Sequence, residues 1–146
     1  MPTYTCWAET GLVAMDARAR IAASLTDIHH GVAAGPRYFV QVIFTELGPD
    51  SLFIAGRPVT TGHVWIRADI RAGRTEEQKA ELLRQIITAI SGITGVAAEH
   101  VWVYLNDVPG PSIAEYGRPL PNPGQEDQWF EQLPVQLQEK LRALAD

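Results

Sequence analysis

The stretch HVWIRADIRAGRTEEQKAELLRQIITAISGI, residues 63–93, decides the fold. Its opening, His63–Asp69, is rich in β-branched and aromatic side chains and alternates Val64, Ile66 and Ala68 with Trp65, Arg67 and Asp69, which predicts a strand. Thr75 and Gln78 then form a capping box. Behind it Leu82, Leu83, Ile86, Ile87, Ile90 and Ile93 recur along one stripe of a helix that ends near Gly92 and Gly95. Downstream, Val101–Asn106 reads as the next strand. Upstream, Thr3–Trp7 and Tyr38–Glu46 read as strands flanking a helix from about Asp16 to Val32, with Asp16 as N-cap and Ile21, Leu25, Ile28 and Val32 as its stripe. Ser51–Val59, with Gly56 and Pro58, reads as a hairpin or connecting loop.

The order is therefore strand, helix, strand, twice. Thr3–Trp7 matches Val64–Ala68, and Phe39–Thr45 matches Val101–Asp107, an offset of 61 to 62 residues. Two consecutive βαβ units with right-handed crossovers predict an α/β (α+β) domain: a four-stranded mixed sheet with two helices on one face. The whole chain, 1–146, is read as a single domain with halves at about 1–62 and 63–107 and a C-terminal tail over 108–146. The second sheet face would carry Trp65, Trp102, Tyr104 and Asn106, so other subunits are expected to cover it. In the tail, Leu133, Leu137, Leu141 and Leu144 mark a short amphipathic helix that either joins that cover or folds back on its own subunit.

Composition bounds the partners. With 12 basic against 17 acidic residues, a net charge of -5 lacks the basic surface that nucleic acid or an anionic membrane needs. The lone Cys6 cannot form an internal disulfide, the start MPTYTCWAET does not read as a signal peptide, and no apolar run reaches membrane-spanning length, so a cytoplasmic protein is expected. His29, His30, His63 and His100 show no zinc spacing, and no nucleophile elbow, phosphate loop or dinucleotide fingerprint occurs. No metal is expected.

Five sets of residues carry candidate chemistry. Removal of Met1 would make Pro2 a terminal secondary amine; an α-amino group titrates near ~7.7–8.0 and can act as acid or base. Most prolines at this position do nothing. Arg71 and Arg74, three apart across Gly73 and just before a helix N-terminus, either converge on one anion or are two solvated loop arginines. His29, at the margin of the first stripe, reads as a packing residue or a ligand. Tyr104 reads as an interface aromatic or a site residue. Glu115, in a Gly/Pro-rich loop, is a solvated carboxylate or a base.

The motifs P-T-Y-T-C-W, D-I-H-H-G, I-R-A-G-R-T, H-V-W-V-Y and A-E-Y-G-R-P-L-P occur in an order that resembles the cis-3-chloroacrylic acid dehalogenase group of the tautomerase superfamily. The resemblance extends to Pro123–Phe130 and so covers nearly the full chain. It implies a tautomerase-like fold, a homotrimer, a small carboxylate substrate and no cofactor. It also implies that Pro2 is the catalytic amine, that His29, Arg71 and Arg74 bind substrate, and that Glu115 and Tyr104 activate water. One loop departs from the group's pattern: Ala33 and Gly35 stand where the dehalogenases carry hydroxyl-bearing residues.

The implied reaction adds water to small α,β-unsaturated carboxylates, either dehalogenating a cis-3-haloacrylate or hydrating an acetylenic acid, with malonate semialdehyde as product. One alternative is a keto–enol tautomerase of phenylpyruvate-like 2-oxo acids with Pro2 as base. A second is a non-catalytic trimeric binding protein, in which Pro2→Ala would change nothing.

Overall fold

The computed structural model describes residues 2–145. Met1, whose removal frees the Pro2 amine, lies outside the described residues. The elements are β1 (Thr3–Glu9), α1 (Met15–Ala33), β2 (Gln41–Leu47), a hairpin of β3 (Phe53–Ile54) and β4 (Arg57–Pro58), β5 (Val64–Arg71), α2 (Glu76–Thr94) and β6 (Val101–Val108). A second hairpin of β7 (Ala114–Glu115) and β8 (Arg118–Pro119) follows, then α3 (Glu126–Glu131) and α4 (Val135–Ala145).

The main sheet has the order β2-β1-β5-β6. β1 pairs with β2 and β5 with β6 in parallel, while β1 and β5 join the halves antiparallel. The two βαβ units thus form the expected mixed sheet. Both helices cover one face: Tyr4, Cys6, Ala8, Val64, Ile66, Ala68 and Ile70 pack against Ile21, Leu25, Leu82, Ile86 and Ile90. No helix among the described residues is long and apolar enough to cross a membrane.

The repeat is tighter than the sequence pattern suggests. The helices are each 19 residues long and start 61 positions apart; their N-caps, Ala14 and Thr75, and their left-handed C-caps, Ala34 and Gly95, keep that offset. Val40 and Val101, each closing a 3-10 turn, do so as well, so the second-strand pairing is Val40 with Val101 rather than Phe39 with Val101. The hairpins obey it too. FIAGRP (53–58) and AEYGRP (114–119) each turn on two left-handed residues, Ala55–Gly56 and Tyr116–Gly117. The second half so extends through Pro119.

Two details differ from expectation, and a third decides between two alternatives that the sequence leaves open. Asp16 is not the cap of α1: the helix begins one residue earlier behind Ala14, with no side-chain cap, and Asp16 sits in the first turn where its charge meets the helix dipole. β2 starts at Gln41 rather than Tyr38, because Pro36 leads into a 3-10 turn over Arg37–Phe39. The tail folds back on its own subunit. Leu133 and Leu141 form a second small core with Phe39, Leu120 and Trp129, and the Trp129 indole donates to the Pro119 carbonyl at 2.9 Å. Leu144 stays 59% exposed.

The face away from the helices is bare in one subunit. Trp7 stacks on Trp65 with centroids 4.5 Å apart, and Tyr104 meets Trp65 edge-on. Trp102 and Tyr104 remain 40% and 53% exposed.

Candidate active site

Pro2 precedes β1 and is fully buried. Its carbonyl accepts from the Gln41 amide at 3.0 Å, which fixes it beside β2 at the sheet end where β1 begins. Alternation along β1 puts Pro2 on the same, helix-covered face as Tyr4.

His29 holds a position in the buried row of α1, with Ala17, Ile21, Leu25 and Ala33. It is 1% exposed, and its Nδ1 lies 2.9 Å from the buried Tyr4 hydroxyl. Burial raises the Tyr4 hydroxyl above the ordinary phenol range against the opposing pull of Arg74, so it keeps its proton. Assigning that hydroxyl as donor leaves the ring's own proton on Nε2. The imidazole stays neutral, pushed down to about 3 by burial first and then by positive charge, with Arg74 foremost.

Nε2 of His29 and Arg74 converge. A Cβ built on Gly35 would lie 3.8 Å from His29 Nε2 and 3.9 Å from Arg74 Nη2, so the side-chain-free Gly35 leaves room where a donor and a cation meet. Arg74 is partly buried, and its Nε has no hydrogen-bond partner. Burial, followed by the charge of Arg71, lowers its affinity for its proton, while Glu126, Asp107 and Tyr4 oppose that. An incoming carboxylate would relieve both the unpaired donor and the like-charge contact.

Arg71 is differently placed. It is 2% exposed, with Nη1 donating to the Pro121 carbonyl at 2.7 Å, Nη2 ion-paired to Glu126 and Nε, like that of Arg74, without a partner. Glu126 was not singled out in the sequence: it acts across 55 positions, and no local pattern links α3 to the end of β5.

Glu115, on β7, lines a cleft with Thr3, Val40, Gln41, Tyr38, Phe39 and Tyr116. Thr3 follows Pro2 in the chain, and Gln41 holds its carbonyl, so the cleft opens next to the amine's strand end. The Tyr116 hydroxyl donates to the Tyr38 carbonyl and ties the hairpin to the 3-10 turn. Tyr104 is not brought to this group. It sits opposite Arg67 on the bare face of the sheet, two strands from β1. Five of the six candidates therefore gather at one end of the subunit, and the sixth faces away. Among the described residues, no three His, Cys, Asp or Glu side chains are placed to hold a metal ion.

A family model described as "Putative oxalocrotonate tautomerase enzyme" matches residues 1–132. The crystal structure of N1, a member of the cis-3-chloroacrylic acid dehalogenase family, is 48% identical, with a TM-score of 0.93 over 97% of this chain and 99% of that one. A probable tautomerase of Streptococcus thermophilus (strain CNRZ 1066) is 32% identical over 53 residues, 36% of this chain and 87% of that protein. A symmetric trimer of a fused 4-OT, 24% identical, shares the fold with a TM-score of 0.73 over 81% of this chain and 94% of that one.

Proposed function

The chain belongs to the tautomerase superfamily, in its cis-3-chloroacrylic acid dehalogenase-like group, and from that membership we propose that it adds water to small α,β-unsaturated carboxylates. The observation that carries the proposal is the meeting of neutral His29 with Arg74 over Gly35, on the helix-covered side of the sheet where Pro2 is buried.

The substrate carboxylate lies against Arg74 and the His29 Nε2–H, with Arg71 in the wall behind. This pairing draws electron density from the double bond and makes C3 electrophilic. Water beside Glu115 attacks C3 and gives its proton to the Glu115 carboxylate, while protonated Pro2 delivers a proton to C2. With a cis-3-haloacrylate, the 3-halo-3-hydroxy acid so formed expels hydrogen halide and leaves malonate semialdehyde. With an acetylenic acid, the enol formed ketonises to the same product.

Tyr104 enters from a neighbouring subunit. The fused 4-OT relative is a symmetric trimer, and a trimer of this chain would cover the bare face and carry Tyr104 toward the next subunit's cleft.

The curated relative named as a probable tautomerase favours a second use of the same pocket. In that reading neutral Pro2 removes a C3 proton of a 2-oxo acid and delivers it to the C2 carbonyl oxygen to give the enol, and the reverse transfer restores the keto acid. The two uses separate at Glu115. Protein shown by intact mass to lack Met1 is assayed on cis-3-haloacrylate, propiolate and phenylpyruvate. Glu115→Gln is expected to lower hydration by about 100-fold or more while tautomerisation persists, and Pro2→Ala to abolish both. Hydration that survives Glu115→Gln overturns the assignment of the water-activating group. Turnover unchanged by Pro2→Ala overturns the enzyme reading altogether.

A further inference from the structure

His29 and His30 are neighbours on α1, about 100° apart around the helix, and the pocket uses only the first. His30 is exposed, yet its Nδ1 lies 2.8 Å from the Gly35 carbonyl oxygen. A carbonyl only accepts, so the His30 ring carries its proton on Nδ1, the opposite tautomer to that assigned to His29. The two rings therefore meet the same residue. His30 holds the Gly35 carbonyl, while His29 lies with Arg74 where a Gly35 side chain would begin.

The backbone needs holding there. Gly35 is buried, so its carbonyl requires a donor. Before it Ala34, the C-cap of α1, is left-handed at φ 53°, a conformation that a Cβ disfavours. The equivalent place after α2 is Gly95, which adopts it freely. His30 brackets the strained residue: its own carbonyl accepts the Ala34 N–H at 3.0 Å, and its ring fixes the next carbonyl along. Further out, Gln78 Nε2 donates to the Val32 carbonyl at 3.0 Å, and Arg37 pairs with Asp27 in a contact open to solvent. A solvent-open ion pair holds little.

We propose that His30 is a positioning residue that keeps the pocket open, holding the Gly35 carbonyl so that the backbone stays clear of His29 Nε2 and Arg74. The proposal rests on reading the His29–Arg74 corner as the substrate's carboxylate site. Without the clamp, a buried carbonyl beside a strained residue is left without its donor. The His29 Nε2–H and the Arg74 guanidinium adjoin it. A carbonyl that turns to them occupies the place of the substrate, and a carboxylate must then displace it.

Two measurements test this. In ¹⁵N spectra of histidine-labelled protein at about pH 8, above the ordinary imidazole range, His30 is expected as the Nδ1–H tautomer and His29 as the Nε2–H tautomer. In titrations with propionate, an unreactive carboxylate probe, His30→Ala is expected to bind about fivefold more weakly than the wild type, the effect of one net hydrogen bond. His30→Asn, whose amide N–H stands in for Nδ1–H, is expected to recover the wild-type affinity to within about twofold. That rescue is a readout that a merely structural role for the ring does not give. A His30 ring protonated on Nε2 alone overturns the proposal. So does a folded His30→Ala protein of unchanged affinity, or a His30→Asn protein as weak as His30→Ala. If His30→Ala does not fold, the tautomer and the affinity of His30→Asn decide. Failure of the carboxylate-site reading looks different: Arg74→Met then binds propionate as tightly as the wild type.

Discussion

At position 29 a histidine sits in the core row of α1, one turn from Leu25, where the second half of the chain has Ile90 at the equivalent place. It is tolerated there because Tyr4 satisfies one nitrogen and its ring stays uncharged. The cost appears on acidification. Folding lowers its affinity for a proton from the ordinary 6.5 to about 3, so between those values the unfolded chain takes up a proton that the folded chain refuses. Its contribution to stability is complete above about pH 6.5 and is lost progressively as the pH falls toward 3. His63, also lowered by burial and then by His100, acts in the same direction. Chemical denaturation followed from about pH 7 to about pH 4 should show the wild-type midpoint falling, and falling less steeply in His29→Gln, which keeps an acceptor for Tyr4 but cannot titrate. Parallel curves for the two proteins would refute the neutral buried imidazole. The same residue explains a limit of sequence reading: periodicity placed His29 at the edge of a stripe, but whether it packs or binds depends on Tyr4 and Arg74, which periodicity does not locate.

Among the elements, the two helices make a controlled comparison. They have equal length, and their caps superimpose by sequence offset, yet only α2 has a side-chain cap: Thr75 accepts from the Gln78 amide at 3.2 Å, and Gln78 returns a bond from the Thr75 amide at 3.0 Å. Thr75→Ala should cost about 1 kcal/mol in a urea titration. Asp16→Ala should lose only the interaction of a first-turn charge with the helix dipole, about 0.3–1 kcal/mol and weakened by salt. Equal losses that respond equally to salt would mean that the capping box does not hold in solution. The helices and the four long strands were legible because their periods, 3.6 and 2, repeat over enough residues to exclude the other. The start of β2 was not. Tyr38 and Phe39 have strand-like propensity, but their partners are Phe130, Trp129 and Tyr116, 77 to 92 positions on, and a Pro36-led turn delivers them there. Ser51–Val59 reads as a hairpin or connecting loop, but its match to the hairpin at Ala114–Pro119 is not legible for the opposite reason: two-residue strands are too short to show a period, although A-G-R-P and Y-G-R-P repeat the turn chemistry. Glu115 stands on the second of these hairpins, and Ile54 on the first. Arg71 and Arg74 were found as a spaced pair, but their inequality was not, because α3 supplies it.

For the whole molecule, the repeat does not extend to the proposed site residues. An offset of 61 maps Pro2 to His63, His29 to Ile90 and Glu115 to Ile54, so the backbone is nearly two-fold while the amine, imidazole and carboxylate are not repeated. The asymmetry leaves one constellation per subunit and a bare sheet face beside it. That face holds Trp7, Trp65, Trp102 and Tyr104, and the buried Trp65 indole N–H has no partner within the subunit. A buried donor without an acceptor and two aromatic side chains open to solvent are the costs a subunit interface would remove. Trp102 is the residue to test, since it is 40% exposed, holds its place by an indole bond to the Glu99 carbonyl and an edge-on contact with His63, and is not one of the proposed site residues. Sedimentation should show the wild type as a trimer and Trp102→Glu as a monomer with the same far-UV circular dichroism. Hydration should fall with the assembly, because Tyr104 then reaches no neighbouring cleft, and should return at protein concentrations high enough to restore the trimer. A wild type that sediments as a monomer and still hydrates at its full rate would place the water-activating machinery within one subunit and leave Tyr104 a surface aromatic.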